Sequence, residues 1–420
     1  MPRTDDVAKS ILAYNRGRDP QRLLRKFELL RRDPFSFFRG TCHLFYATLP
    51  RDAVLARAPA VLACGDLHVE NFGTYKGDNR LVYFDLNDFD EAALAPCTFE
   101  LARFAASVLV AAEHLGLSRH QATGLCRIFI ATYRCSIGDG KPRWVERSTA
   151  DGMVKDLLGS LAQRTRGEAL DARTERTKSA RRLHIDDRHS LALAAADRSR
   201  INTLLKRFAA ASGKPAFYRL LDAARRVAGN GSLGVERYVL LVEGKGSPDE
   251  NYLLDLKLAV PSALAPVVKT PQPKWTNEAQ RVVATQRIVQ AISPALLHAI
   301  DDGGRSYVLR ELQPTADRLD LALWHGHIAR LESVVTTMGQ VAAWGHLRGC
   351  GRHGAAGVEE LQRYIAGAGW EKKLLAIARA CCTRTVAQWR AYCDAYDGGQ
   401  FDAKPPTRSA SRIPGGAPKL

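Results

Sequence analysis

The sequence predicts an α+β protein of two lobes: a mostly helical large lobe and a small antiparallel-sheet lobe. Three observations carry that reading. Apolar residues recur at helical spacing through much of residues 1–222 and 314–402. Between them, 223–313 opens on glycines and then alternates with the period of a strand. Two short apolar runs, Val61–Ala63 and Leu81–Leu86, each deliver the chain into a cluster of acids. At 420 residues, 46% hydrophobic and 25% charged, the chain has the composition of a globular protein with a sizeable core. Its net charge of +17 attracts polyanions, whether nucleic acid, acidic membranes or nucleotide phosphates, without choosing among them.

The first 50 residues read as helices. Asp19-Pro20 supplies a cap and a first-turn proline ahead of Leu23, Leu24, Phe27 and Leu30. The aromatic cluster Phe35, Phe37 and Phe38 interrupts them beside Arg39, which has a structural role or reaches the acidic loop or a phosphate. Next comes VLACGDLHVENFGTYKGDNRLVYFDLNDFDE, 61–91. Its two strands each release an Asp at one end, which aims Asp66, Asn71 and Asp88 into one crevice, with Asp85 and Asp90 as competitors of Asp88. Mg²⁺ on a nucleotide triphosphate takes such hard oxygen ligands. The spacing Asp66-x-x-x-x-Asn71 is that of a kinase catalytic loop, where the Asp receives the hydroxyl proton and the Asn holds a metal. His68 and Glu70, inside this loop, are candidate substrate or structural residues.

Phe99–Leu109 is apolar on most faces and reads as a buried helix beneath that loop. A helix over 118–136 follows, then a charged stretch, 141–197, with a helix around 150–163 and another around 198–212. Gly229, Asn230, Gly231, Ser232 and Gly234 form a GxGxxG turn. A dinucleotide fingerprint would follow a strand and open a helix. These glycines precede the strand Arg237–Val242, which places them as a flap over ATP phosphates. In the next strand Tyr252, Leu254, Leu256 and Leu258 share one face, and Leu253, Asp255 and Lys257 the other. Lys257 is the candidate phosphate contact. Asn277 caps the helix after it, which offers Glu278 as an ion-pair partner for Lys257. Tyr307–Leu312 is a strand, and Glu311 to Asp320, with Glu311 and Leu312 as nucleotide contacts, is the expected hinge. Helices over 325–347 and 358–396 complete the large lobe, and 403–420, rich in Pro, Gly and Ser, reads as a disordered basic tail.

In a kinase the flap, lysine and helix come before the catalytic loop; here they come after it. A circular permutation reconciles the two orders, since a folded core does not require a particular break in the chain. The chain up to about residue 400 resembles an uncharacterised conserved bacterial family, a domain of unknown function related to aminoglycoside and choline phosphotransferases in the protein-kinase-like superfamily. FFRGTCHLFY, CGDLHVENFG, FDLNDFDE, FELARFAAS, GNGSLGVERY, LLDLKLAVPSAL and YVLRELQP carry the resemblance. It implies Asp66 as catalytic base, with Asn71 and Asp88 as metal ligands. Two departures stand out. Glu100 replaces the Asp that braces the catalytic loop, and Lys257-Leu258-Ala259 stands where Lys-Glu-Ala is favoured.

The expected function is ATP-dependent phosphotransfer, with Mg²⁺, to a hydroxyl of an unknown small molecule or protein. The alternatives are an AMP-transferring or non-catalytic nucleotide binder, and a basic nucleic-acid-binding protein. The last lacks an aromatic-basic platform or recognition helix, so no specific nucleic acid is expected. Nine cysteines without a CxxC pair, among them Cys64, Cys97, Cys126 and Cys135 in apolar surroundings, indicate a reduced cytoplasmic protein. His346, Cys350 and His353 lack a fourth ligand and a zinc spacing. The N-terminus has no signal-peptide core, and the longest apolar stretch is too short to span a bilayer, so no membrane partner is expected.

Overall fold

The computed structural model describes residues 4–162, 164–186, 189–229, 231–313 and 318–402. Asn230 and the tail 403–420 lie outside them, as does 314–317 of the expected hinge. Helices α1 (Thr4–Tyr14) and α2 (Pro20–Arg32) meet at a turn through Gly17, which sits at φ +81°. Asp19 caps α2 by accepting the Arg22 N–H, and Asp33 and Pro34 repeat the device at α3 (Pro34–Gly40). Helices α4 (Cys42–Ala47) and α5 (Ala53–Ala56) lead into the acidic stretch.

That stretch is built differently from the expectation. Strand β1 (Ala60–Ala63) pairs antiparallel with β4 (Ala93–Pro96), while β2 (Phe72–Lys76) pairs with β3 (Val82–Leu86) as a hairpin. The two acid-releasing runs therefore lie in separate ribbons. Their loops are joined by the Asn87 N–H, which donates to Asn71 O at 3.1 Å.

Helices α6 (Cys97–Ala111) and α7 (Arg119–Asp139) follow, α7 opening on a Ser118–Gln121 capping box. Cys64, Cys97 and Cys126 are buried as expected, but Cys135 lies on the solvent side of α7. The charged stretch holds α8 (Gly152–Ala162), α9 (Arg166–Asp171) and a short hairpin, β5 (Thr174–Arg176) with β6 (Arg181–Leu183). Its two apolar anchors, Leu170 and Leu183, are too sparse to show a period, yet both bury against Ala224, Val239, Leu241 and Leu312.

The main sheet is antiparallel in the order β11-β12-β10-β9-β8-β7. Its strands are β7 (Ser190–Leu191), β8 (Leu220–Arg226), β9 (Arg237–Val242), β10 (Tyr252–Leu258), β11 (His298–Asp301) and β12 (Ser306–Glu311). It thus reaches back beyond residue 223, where the composition changes. Helix α10 (Ala195–Ala211) covers the face of Tyr252, Leu254 and Leu256 with Ile201, Leu204 and Leu205. On the other face, Leu253 packs under Leu170 and Leu183.

Helix α11 (Glu278–Val289), capped by Asn277, inserts Ala279, Val282 and Val283 into the largest core. That core also takes α6, α7, α12 (Ile328–Gly349), α13 (Val358–Ala366) and α14 (Trp370–Asp397). No helix of the described residues is long and apolar enough to cross a membrane.

Candidate active site

Gly65 ends the run out of β1 at φ +87°, a left-handed conformation in which a Cβ would overlap the Glu91 carbonyl. The turn presents Asp66 and is held from below by one face of α6. Glu100, Arg103 and Ser107, spaced i, i+3 and i+7, all point at it. Glu100 Oε1 accepts the Gly65 N–H at 2.8 Å, and Ser107 Oγ accepts the Val69 N–H at 3.2 Å. Arg103 Nε donates to Asp66 Oδ1 at 2.6 Å, with Nη2 on the same oxygen. Arg103 is 0% exposed and lies over the Phe38 and Phe45 rings at 4.2 and 4.9 Å. Burial raises the Asp66 carboxyl above its ordinary value, and Arg103 opposes that.

The second carboxylate oxygen of Glu100 pairs with His346 Nε2 at 2.7 Å, and His346 Nδ1 meets Tyr133 Oη at 2.8 Å. Burial raises Glu100, but its bond to His346 more than offsets this and holds the carboxyl below its usual range. The brace expected of an Asp is therefore made by a Glu, and His346 is engaged in it. Among the described residues no three His, Cys, Asp or Glu side chains form a ready metal cluster.

Asn71 spends its amide nitrogen on two carbonyls, Asp66 O at 3.0 Å and Asp88 O at 3.2 Å, which leaves Oδ1 as the atom for a cation. Asp88 is exposed, and its Oδ1 accepts the Asp90 N–H at 3.1 Å. His68 accepts the Glu70 N–H on Nδ1, so its neutral ring carries the proton on Nε2. Burial, reinforced by Arg39, pushes the His68 pKa well down. Glu70 pairs with Arg39 at 2.5 Å.

Lys257 forms its ion pair with Asp90. Burial alone would raise the Asp90 carboxyl, but Lys257, with Arg310 and Arg237 beyond it, holds it below the usual range. Glu278 does not reach Lys257: it accepts from Arg281 Nε at 2.6 Å, one turn along α11. Arg281 instead ties α11 to the acidic loop, donating to Ala92 O at 2.7 Å, Asp90 O at 2.9 Å and Val260 O at 2.8 Å.

Asp85 also departs from expectation. It is 2% exposed, accepts the Leu86 and Ala291 N–H groups at 2.8 and 3.0 Å, and lies away from the crevice as a link to the end of α11. A backbone-bonded carboxylate turned inward is a structural group rather than an open ligand.

Asp66, Asp88, Asp90 and Lys257 line one crevice of about 80 Å³ with Gly229, Gly231 and Ser232. Arg18, Arg39, Arg318, His68, Tyr14 and Glu91 complete its polar wall. A family model described as an uncharacterized protein conserved in bacteria (DUF2252) matches residues 18–395. The chain belongs to that family. No curated protein and no solved structure matches it.

Gly234 borders the arm formed by α1, α2 and the turn between them: a Cβ there would press on Arg18 and Leu23. Glu311 and Leu312 are not in the crevice. With Arg310 and Gln313 they line a separate cavity of about 470 Å³, between β12, β2, α9 and Gln286 of α11. Behind Lys257, Asp255 is gripped by Arg237 at 2.7 and 2.6 Å and by Arg226 at 2.9 Å. Burial would raise the Asp255 carboxyl, and these guanidiniums hold it well below its usual range.

The resemblance already marks Glu100 at the place of the loop's brace, whereas Arg103, Arg281 and Arg18 carry no role in the sequence analysis. For Arg103 a signal existed: with Glu100 it puts polar residues at i and i+3 in a helix otherwise too apolar to be anything but buried. Arg18 and Arg281 carry no local mark of their role.

Proposed function

We propose that this protein transfers the γ-phosphoryl group of Mg-ATP to a hydroxyl group of a small molecule or a protein. The observation that carries the proposal is the crevice itself. Lys257 and Asp90, 167 residues apart in the chain, are joined there, and the glycine turn, Asp66 and Asp88 line the same space. The order of parts supports it: a glycine turn between β8 and β9, a lysine on β10, a helix, then β11 and β12. This is the succession of flap, lysine and helix in kinases, and it agrees with a two-lobed, circularly permuted relative of the aminoglycoside phosphotransferases.

The donor set fits the cofactor. Mg²⁺ needs no all-protein cage, because it takes one or two side-chain oxygens and completes its shell with phosphates and water. Asp88 and Asn71 Oδ1 would hold it. When bound, the ion supplies charge neutralisation at the phosphate oxygens. The Lys257 ammonium has three donors; one is used on Asp90, which fixes it, and the others serve phosphate. The crevice has room for phosphates rather than a whole nucleotide. The 470 Å³ cavity beside Glu311 and Leu312, reached along β12, is of the size a base and ribose require.

Asp66 orients the acceptor hydroxyl and takes its proton. Burial makes this carboxylate a better proton acceptor, while Arg103 keeps it ionised and aligned. Positioning and electrostatics then supply most of the rate.

ATP labelled at the γ or the α position tests the reading. Label from γ-labelled ATP should reach a hydroxyl acceptor in a reaction that Asp66→Ala abolishes. Transfer from the α position alone would make the protein an AMP transferase, and nucleotide binding without either transfer would make it a non-catalytic binder.

A further inference from the structure

The arm formed by α1, α2 and the turn between them reaches over the glycine flap. Lys26 Nζ donates to Gly231 O at 2.8 Å, and Arg18 Nη1 donates to the same oxygen at 2.8 Å. The Asp19 N–H donates to Gly234 O at 3.0 Å. Beside them, at the end of α1, the Tyr14 hydroxyl donates to Glu91 Oε1 at 3.0 Å, on the acidic side of the crevice. One element of the chain thus fastens both walls.

The two bonds on Gly231 O have a geometric consequence. A peptide unit is planar, and in the trans form its C=O and N–H point in opposite directions. The bond between Gly231 and Ser232 is trans. With the carbonyl drawn to the arm by two donors, which use both of its lone pairs, the Ser232 N–H is directed away from those donors, and Ser232 itself lines the crevice. Among the described residues no acceptor takes this N–H.

Lys26 sits where a charge is costly. Lys26 is 0% exposed, and its hydrogen-bond acceptors are neutral: Gly231 O and, at 2.9 Å, Asn15 Oδ1. Burial, with Arg18 close by, pushes its pKa well down, and Glu91 is the acid that opposes this. Holding a loop requires a donor, not an ammonium taken out of water at a cost of several kcal/mol. An anion in the crevice offsets that cost; a neutral ligand does not.

We infer that Arg18 and Lys26 are positioning residues of the nucleotide site, which hold the Gly231–Ser232 peptide so that its N–H is pre-aimed at a phosphate of a polyphosphate ligand. The inference rests on the Mg-ATP reading, and its test separates the two. Calorimetric titration with Mg-ATP and with adenosine is run on the wild type, Lys257→Ala, Arg18→Gln, Lys26→Met and Ser232→Pro.

Arg18→Gln and Lys26→Met should each weaken Mg-ATP about tenfold, or ~1.4 kcal/mol, and leave adenosine unchanged. The apo unfolding midpoint of Lys26→Met should hold or rise, because removing a poorly compensated buried charge relieves the fold. Ser232→Pro deletes the N–H itself, so adding Arg18→Gln to it should cost nothing further.

Wild-type binding that falls in Lys257→Ala but is unaltered in Arg18→Gln and Lys26→Met would overturn the inference and leave the phosphotransferase reading standing. So would losses in Ser232→Pro and Arg18→Gln that simply add, or a lowered midpoint for Lys26→Met with affinity intact. No Mg-ATP binding by the wild type would overturn both.

Discussion

Replacing Arg103 with Met exposes what the candidate catalytic loop depends on. The guanidinium is wholly buried, reaches Asp66 Oδ1 with two nitrogens, donates to Phe38 O at 3.2 Å and lies over the rings of Phe38, Phe45 and Tyr46. Met fills much of the same volume, so the perturbation is mainly the loss of the charge and its hydrogen bonds. At an effective dielectric of about 20, opposite charges ~4 Å apart attract by about 4 kcal/mol. Breaking a buried pair by removing one partner costs about 3–5 kcal/mol, because the other charge stays behind. Taking the middle of that range, the unfolding midpoint should fall by roughly 4 °C in a chain of this length.

Asp66→Asn in the Arg103→Met background should restore about half of the loss, since no charge is then stranded. The cycle of four proteins, followed by urea unfolding, measures the coupling directly. Without Arg103 the main opposition to burial at Asp66 is gone and only Arg39 still acts against it, so the alkaline-favouring limb of any activity profile should move to higher pH. A coupling within ~0.5 kcal/mol of zero, as exposed pairs give, would refute the view that Arg103 holds the loop.

The remaining predictions concern Glu91 and Gly65. Glu91 titrates at about 6 rather than 4.5, chiefly because it is buried and near Asp66 and Asp90. Folding therefore favours its protonated form. That stability is complete below pH 4.5 and is lost as pH rises through 6, in all about 2 kcal/mol. Glu91→Gln should flatten this slope in chemical unfolding curves taken between pH 4.5 and 7, and an unchanged slope would assign it to another group. Gly65→Ala combines a positive φ with a Cβ overlapping Glu91 O, so it should destabilise by more than ~2 kcal/mol. Any activity should fall with it, and wild-type stability for this variant would contradict the turn geometry.

What was legible in the sequence is what short-range chemistry specifies. Asp19 and Asn277 cap helices because each lies just ahead of a run at helical spacing. The alternation in β10 correctly puts Lys257 on the face opposite Tyr252, Leu254 and Leu256. Choices between distant partners were not legible. Ala93–Pro96 has no β-branched residue to mark it as a strand, so nothing pointed to β4 as the partner of β1. Glu278 fits the kinase order as the partner of Lys257, yet Arg281, at i+3 on the same helix, takes its carboxylate first. Asp85 sits among metal-type acids in the sequence but lies on a strand buried on both faces, opposite the core side of Phe84 and Leu86. The arm's bonds to Gly231 span more than two hundred residues, and no local pattern announces contacts of that range.

The central claim is that Lys257, Asp66 and Asp88 serve one nucleotide site, and the nucleotide-dependent rise in unfolding temperature tests it most directly. Wild type should gain several degrees with ATP and Mg²⁺ and less with ATP alone, because a ligand that binds only the folded state stabilises it by mass action. Lys257→Ala should lose most of the shift with or without the metal. Asp88→Ala should lose the Mg²⁺-dependent part, and Asp66→Ala should keep the shift. A wild-type shift that survives intact in both Lys257→Ala and Asp88→Ala would contradict the account.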